Sequence, residues 1–130
     1  MIKKIILLLS FVGIFGAGIF TATVLHFGSP IVGIDLTNKS SQKIQSIDIN
    51  HETGRNGKVR YQIIDLQPNE TRHLRMYAPA ESTYEVIVTF ADGTRLVGGQ
   101  GYVEAGYRVR EAIGSQKIES RVDQYGGYRP

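Results

Sequence analysis

The chain begins with one unbroken apolar run and then changes to short alternating segments. Ile5–Phe27 reads IILLLSFVGIFGAGIFTATVLHF and contains no Asp, Glu, Lys or Arg. In helical form a run of this length rises ~30 Å, the thickness of a bilayer's hydrocarbon core. Inside lipid the backbone must satisfy its own hydrogen bonds, so the run predicts a single spanning helix. Lys3 and Lys4 precede it, and the first acidic residue is Asp35. That flank predicts a cytoplasmic N-terminus and an exported remainder.

A cleaved signal peptide is the competing reading. Gly16-Ala17-Gly18 and Thr21-Ala22-Thr23 are poor small-x-small sites, and Ile19, Phe20, Val24, Leu25 and Phe27 carry the hydrophobicity beyond the first of them. The expectation is therefore an uncleaved anchor in the cytoplasmic (inner) membrane, with the rest of the chain periplasmic. The division is a stub 1–4, a span 5–27, a linker 28–30, a domain 31–122 and a tail 123–130. Three linker residues reach at most ~11 Å, so a protein partner is expected close to the membrane. Gly13/Ala17 and Gly18/Ala22 are spaced for close helix approach, but small residues are also common in membrane spans.

Past residue 30, apolar residues alternate in short stretches broken by turn residues about every ten positions. Ile31–Thr37 puts Val32, Ile34 and Leu36 on one face. In Ile44–Glu52, Ile47 and Ile49 point inward and Ile44 is out of phase, which predicts a bulge near Gln45-Ser46. After the Asn56-Gly57 turn, Lys58–Leu66 places Val59, Tyr61 and Ile63 together. Pro68 and Asn69 mark a turn, followed by Thr71–Ala78 with Leu74 and Met76 inward. Thr83–Ala91 alternates without fault through Tyr84, Val86, Val88 and Phe90. Arg95-Leu96-Val97 follows, then Gly98, Gly99 and Gly101, whose run suggests close backbone approach. Tyr107–Ile113 holds Tyr107, Val109 and Ile113 in phase, and Gln116–Val122 is the last strand.

The pattern predicts an all-β domain, a small antiparallel β-sandwich of seven or eight strands, since the connections are too short for crossovers. It resembles immunoglobulin-like or transthyretin-like sandwiches in architecture alone; no motif points to a family.

Composition narrows the function. The sequence pI is about 9.3 and the net charge +3, but Lys3 and Lys4 supply two of those charges. The exported part keeps 13 basic against 12 acidic residues, too even for a nucleic-acid partner. There is no Cys, so neither disulfides nor a structural zinc site is expected. Three His stand apart in sequence; His51 and His73 are expected on strand surfaces. No G-x-S-x-G is present, and Gly98-Gly99-Gln100-Gly101 lacks the Lys-Ser/Thr of a phosphate loop. The carboxylates Asp48, Asp65, Glu85 and Asp92 fall where strand edges and turns would solvate them. Asn38-Lys39-Ser40 and Asn69-Glu70-Thr71 match the glycosylation pattern by chance, both in expected turns.

Two features remain as candidate contacts. Arg55, Lys58, Arg60, Arg72 and Arg75, with His73, form a basic group opposed by Asp65 and Glu70. If the third and fourth strands form a hairpin through Pro68, Asp65 faces Arg72 and Arg60 faces Tyr77. Such a surface would bind lipid headgroups or an acidic partner. The tail offers Tyr125 and Tyr128 around Gly126-Gly127. The expected function is a non-catalytic, cofactor-free binding or assembly module, held in lipid through Ile5–Phe27. An exported hydrolase or carbohydrate-active domain, or a cleaved secreted protein, is the alternative.

Overall fold

The computed structural model describes residues 2–24, 30–53, 57–99 and 101–123. Helix α1 (Ile2–Val24) belongs to one compact unit and eight strands to a second. The stretch Lys3–Ala22 is long and apolar enough to cross a membrane. Its large side chains are exposed, Leu7 at 73% and Ile14 at 75%. The hydroxyls of Ser10 and Thr21 donate back to the carbonyls of Ile6 (3.0 Å) and Ala17 (2.9 Å), so these polar groups are satisfied within the helix. Leu25, His26, Phe27 and the linker residues Gly28 and Ser29 lie outside the described residues.

The strands are β1 (Ile31–Asn38), β2 (Ile44–Thr53), β3 (Gly57–Leu66), β4 (Thr71–Tyr77), β5 (Ser82–Phe90), β6 (Arg95–Gly98), β7 (Arg108–Ile113) and β8 (Ile118–Asp123). They form two four-stranded sheets: sheet A, ordered β4-β1-β7-β8, and sheet B, ordered β3-β2-β5-β6. The result is sandwich-like. Inward residues of both sheets make one core: Val32, Ile34, Leu36, Ile47, Ile49, Val86, Val88, Val109 and Ile113 are fully buried. The expected bulge is present, as a register shift against β5 between Ile44 and Ser46.

Two expectations are corrected. The domain is not purely antiparallel: β1 and β7 run parallel, Gly33 opposite Arg108 through Asn38 opposite Ile113. Short connections forbid parallel pairing only between consecutive strands, and all of sheet B plus β4 separates these two in sequence. Nor do β3 and β4 form a hairpin. The Pro68 turn carries the chain from sheet B to sheet A, so β3 pairs with β2 while β4 pairs with β1. Asn69, at φ 63°, takes the left-handed conformation expected of it. Its N–H donates to the Asn38 carbonyl (2.8 Å) and the Asn38 N–H donates to the Glu70 carbonyl (3.0 Å), pinning the turn to the end of β1.

Asn38 is also not a turn residue open to modification. It ends β1, fully buried. Its amide donates to the carbonyls of Gln42 (2.8 Å) and Leu66 (3.2 Å), and its Oδ1 accepts from the backbone N–H (3.0 Å) and hydroxyl (2.7 Å) of Ser40. One side chain thus clamps sheet A to the end of β3. Gly99 shows the expected close approach: at φ +107°, a Cβ there would lie 2.9 Å from a Val86 methyl and 3.3 Å from the Tyr84 ring.

Candidate functional site

The domain offers an interior polar cluster and two outer sheet faces. In the interior, period-two alternation continues from Ile47 and Ile49 to His51, and from Val109 to Glu111. Both are shut away, His51 at 1% exposure and Glu111 at 0%. The expectation of a surface His51 is therefore corrected: the phase of its strand turns it inward beside Tyr84, its register partner on β5. Neither ring nitrogen of His51 has a hydrogen-bond partner among the described residues, and burial lowers its pKa by disfavouring the cation. Glu111 accepts hydrogen bonds from Tyr84 Oη and, at 2.6 Å, from Ser120 Oγ. These contacts tie β7 to β8 and to β5 of the opposite sheet. The sequence signal was available: Glu111 is a charged residue in phase with Val109 and Ile113.

Register fixes the outer faces. On sheet A, the outward side carries His73, Arg75 and Tyr77 of β4, Asp35 of β1, Arg108 and Arg110 of β7, and Glu119, Arg121 and Asp123 of β8. Asp35 is its centre. The Nδ1–H of His73 donates to Oδ1 at 2.6 Å, while Arg108 donates to Oδ2 through Nε (3.0 Å) and Nη2 (2.8 Å). Burial alone would raise the Asp35 pKa; the hydrogen bonds from His73 and Arg108 outweigh it and hold the carboxyl below its ordinary value. Arg110 meets Asp123 at 2.9 Å, and Arg121 meets the same carboxylate at 3.6 Å.

The basic group read from the sequence is not one surface. Lys58 and Arg60 lie on the outer face of sheet B, where Lys58 pairs with Glu52 (3.8 Å) and Arg60 with Asp48 (2.8 Å). Arg75 lies on the outer face of sheet A, and Arg72 shares the inward face of β4 with Leu74 and Met76. Arg72 meets Glu70 rather than Asp65, at 2.5 Å, and Asp65 meets Lys43. Tyr77 stands opposite Ile31 rather than Arg60. Arg55, Tyr125 and Tyr128 lie outside the described residues. These residues come from strands adjacent in the chain, which the two-sheet topology separates.

A shallow depression of about 90 Å³ is lined by Gln42, Phe90, Asp92, Thr94 and Ser115. That holds about three waters, well below the ~300 Å³ or more of a metabolite pocket. Among the described residues, no three His, Cys, Asp or Glu side chains gather as metal ligands.

No family model matches the chain, and no curated protein matches it. Among solved structures it is similar to a protein from Eubacterium rectale determined by NMR, with a TM-score of 0.56 and 15% identity over 75% of this chain and 93% of that one. At that identity the likeness shows the fold alone.

Proposed function

We propose that this chain is a single-pass, membrane-anchored β-sandwich that works as a non-catalytic binding or assembly module at the outer surface of the cytoplasmic membrane. The observation that carries the reading is the pairing of a span-length helix, exposed along its length, with a domain whose own core is complete. Eleven large apolar side chains between Ile5 and Phe20 are exposed. Moving them from water into lipid is worth on the order of 20 kcal/mol. Lys3 and Lys4 orient the anchor with its N-terminus inside.

Binding rather than turnover is favoured by where the ionisable groups lie. His51 and Glu111 are enclosed in the core, out of a substrate's reach. In the surface group, Asp35 is engaged by a hydrogen bond from His73 and an ion pair with Arg108. Four arginines, one histidine and three carboxylates on the outer face of sheet A suit a protein partner of mixed charge. Tyr125 and Tyr128 are further candidate contacts, as large side chains ordered at low entropy cost. We infer also that the sandwich is transthyretin-like. An immunoglobulin-type sheet places its first strand beside its second, whereas β1 here lies between β4 and β7 in an eight-strand arrangement.

The test places a photo-crosslinking residue at Arg110 on sheet A or at Gln62 on sheet B in the full chain in cells. A discrete adduct is expected from position 110 and not from 62. Equal adducts from both positions would contradict this docking face. Turnover of a general hydrolase substrate, abolished by substituting His73 or one surface carboxylate, would replace the binding reading.

A further inference from the structure

We propose that β8 is a self-pairing edge, through which two copies of this chain join their A sheets antiparallel about a two-fold axis at Ser120. This deepens the assembly reading above and rests on it.

The edge is open. β8 ends the order of sheet A, its pairing among the described residues is with β7, and Glu119, Ser120 and Arg121 at its middle are exposed. The free backbone groups can be assigned. Gly114 N–H donates to the Lys117 carbonyl at 2.9 Å, which makes 114 and 117 a hydrogen-bonded pair. Hydrogen-bonded pairs alternate along an antiparallel ladder. The β7–β8 register then turns the backbone groups of Glu119, Arg121 and Asp123 toward β7, and those of Ile118, Ser120 and Val122 to the open side. The side-chain contact between Ser120 and Glu111 agrees, since the closer Cα spacing of a non-hydrogen-bonded pair falls there.

The sequence of this edge is self-complementary. It reads Lys117-Ile118-Glu119-Ser120-Arg121-Val122-Asp123. With Ser120 opposite Ser120 of the second copy, Lys117 meets Asp123, Glu119 meets Arg121 and Ile118 meets Val122. Every opposed pair shares a face, as antiparallel pairing requires. The outward backbone groups of 118, 120 and 122 find one another, giving on the order of six interchain hydrogen bonds. The half-buried Ile118 and Val122 are covered at the same time.

Neighbouring registers are penalised. A shift of one residue pair in one direction sets Glu119 against Glu119 and Lys117 against Arg121. A shift in the other sets Arg121 against Arg121 and Glu119 against Asp123. Like charges directly opposite destabilise a sheet. In the single chain Lys117 meets Glu119, and Asp123 meets Arg121 and Arg110 of β7; Lys117, Glu119 and both arginines are exposed, and pairs of that kind contribute little. The edge β3 differs. Its outward Lys58 and Arg60 carry one sign and meet acids on β2, so a second β3 finds no opposite charge across the edge. A six-residue edge is a small interface, so the pairing is weak in dilute solution. Confinement of two anchored copies to one membrane raises their effective concentration.

The test uses the full chain in membranes. It has no cysteine, so Ser120→Cys supplies one thiol per copy, about 5.5 Å between Cα atoms across the axis and within disulfide reach. Oxidation is expected to give a covalent dimer, and Gln62→Cys on β3 is expected to give none. In the Ser120→Cys background, Glu119→Arg and Arg121→Glu should each reduce the dimer at least about tenfold, and the two together should restore it. With Ser120 intact, carbodiimide should join Lys117 to Asp123; six residues of strand hold these ~20 Å apart within one chain, so that product comes only from two copies. Absence of both crosslinks, or a dimer indifferent to the single charge reversals, overturns the proposal. A membrane-bound chain without either crosslink would leave the anchored-module reading standing, and a soluble chain that crosslinks would do the reverse.

Discussion

Tyr84 on β5 donates a hydrogen bond through its hydroxyl to Glu111 on β7, joining sheet B to sheet A inside the core. With Ser120 donating to the second carboxyl oxygen, a fully buried acid is held from both sheets. Removing one partner leaves a buried polar group short of a hydrogen bond, at about 1–3 kcal/mol. Tyr84→Phe should lower stability by that amount. Glu111→Ala should lower it more, since it strands the Tyr84 hydroxyl and opens a cavity. Thermal melting of the full chain in detergent checks both. An unchanged melting temperature for Glu111→Ala would mean that the acid is not part of the folded framework.

His51 sets a pH dependence. Burial lowers its pKa in the folded protein, so below the ordinary histidine value the unfolded chain takes up a proton that the folded one refuses. Stability is then complete above about pH 6.5 and falls as pH drops below it, by up to ~1.4 kcal/mol per unit. His51→Leu removes both the titration and two nitrogens without partners among the described residues. It should be at least as stable at pH 7.5 and show a flatter profile from pH 7 to 5.5. A loss above ~2 kcal/mol at pH 7.5 would show that the imidazole makes bonds the fold needs.

Core and surface positions on the strands should separate cleanly. Phe90 is 2% exposed, whereas Ile64 on the outer face of sheet B is 59% exposed. Phe90→Ala should cost ~3–5 kcal/mol, and Ile64→Ala less than ~1. Equal effects in denaturant titrations would contradict the assigned phases.

Gly99 is held by its neighbours and by its backbone. An added Cβ would strike Val86 and Tyr84 at a positive φ. Gly99→Ala should destabilise by ~1–3 kcal/mol, while Gly101→Ala, with nothing within 4 Å of its Cβ position, should be close to neutral. Comparable losses at the two glycines would mean that the close approach at 99 is not tight.

Local alternation made the strands legible. Val32, Ile34, Leu36, Val86, Val88 and Phe90 all lie where period two puts them, and the Ile44 bulge was visible as a broken phase. Topology was less so. Nothing near Pro68 in sequence says that its turn crosses between sheets, because that depends on β4 matching Ile34 and Val32 of β1 with Leu74 and Met76. The outer face around Asp35 was hidden for the same reason: Asp35, His73 and Arg108 come from three strands distant in the chain. His51 and Glu111 were legible by phase, but residue type argued against burying them, and hydrogen bonds to Tyr84 and Ser120 are what make it tolerable for Glu111.

We read the apolar helix as a retained membrane anchor for the sandwich. The most direct test is the intact mass of the full-length protein recovered from membranes after alkaline carbonate washing. A retained anchor keeps the protein in the washed membranes at its full 14.4 kDa. Recovery in the soluble fraction of a species lighter by about 2 kDa, the mass of a removed signal peptide, would contradict it.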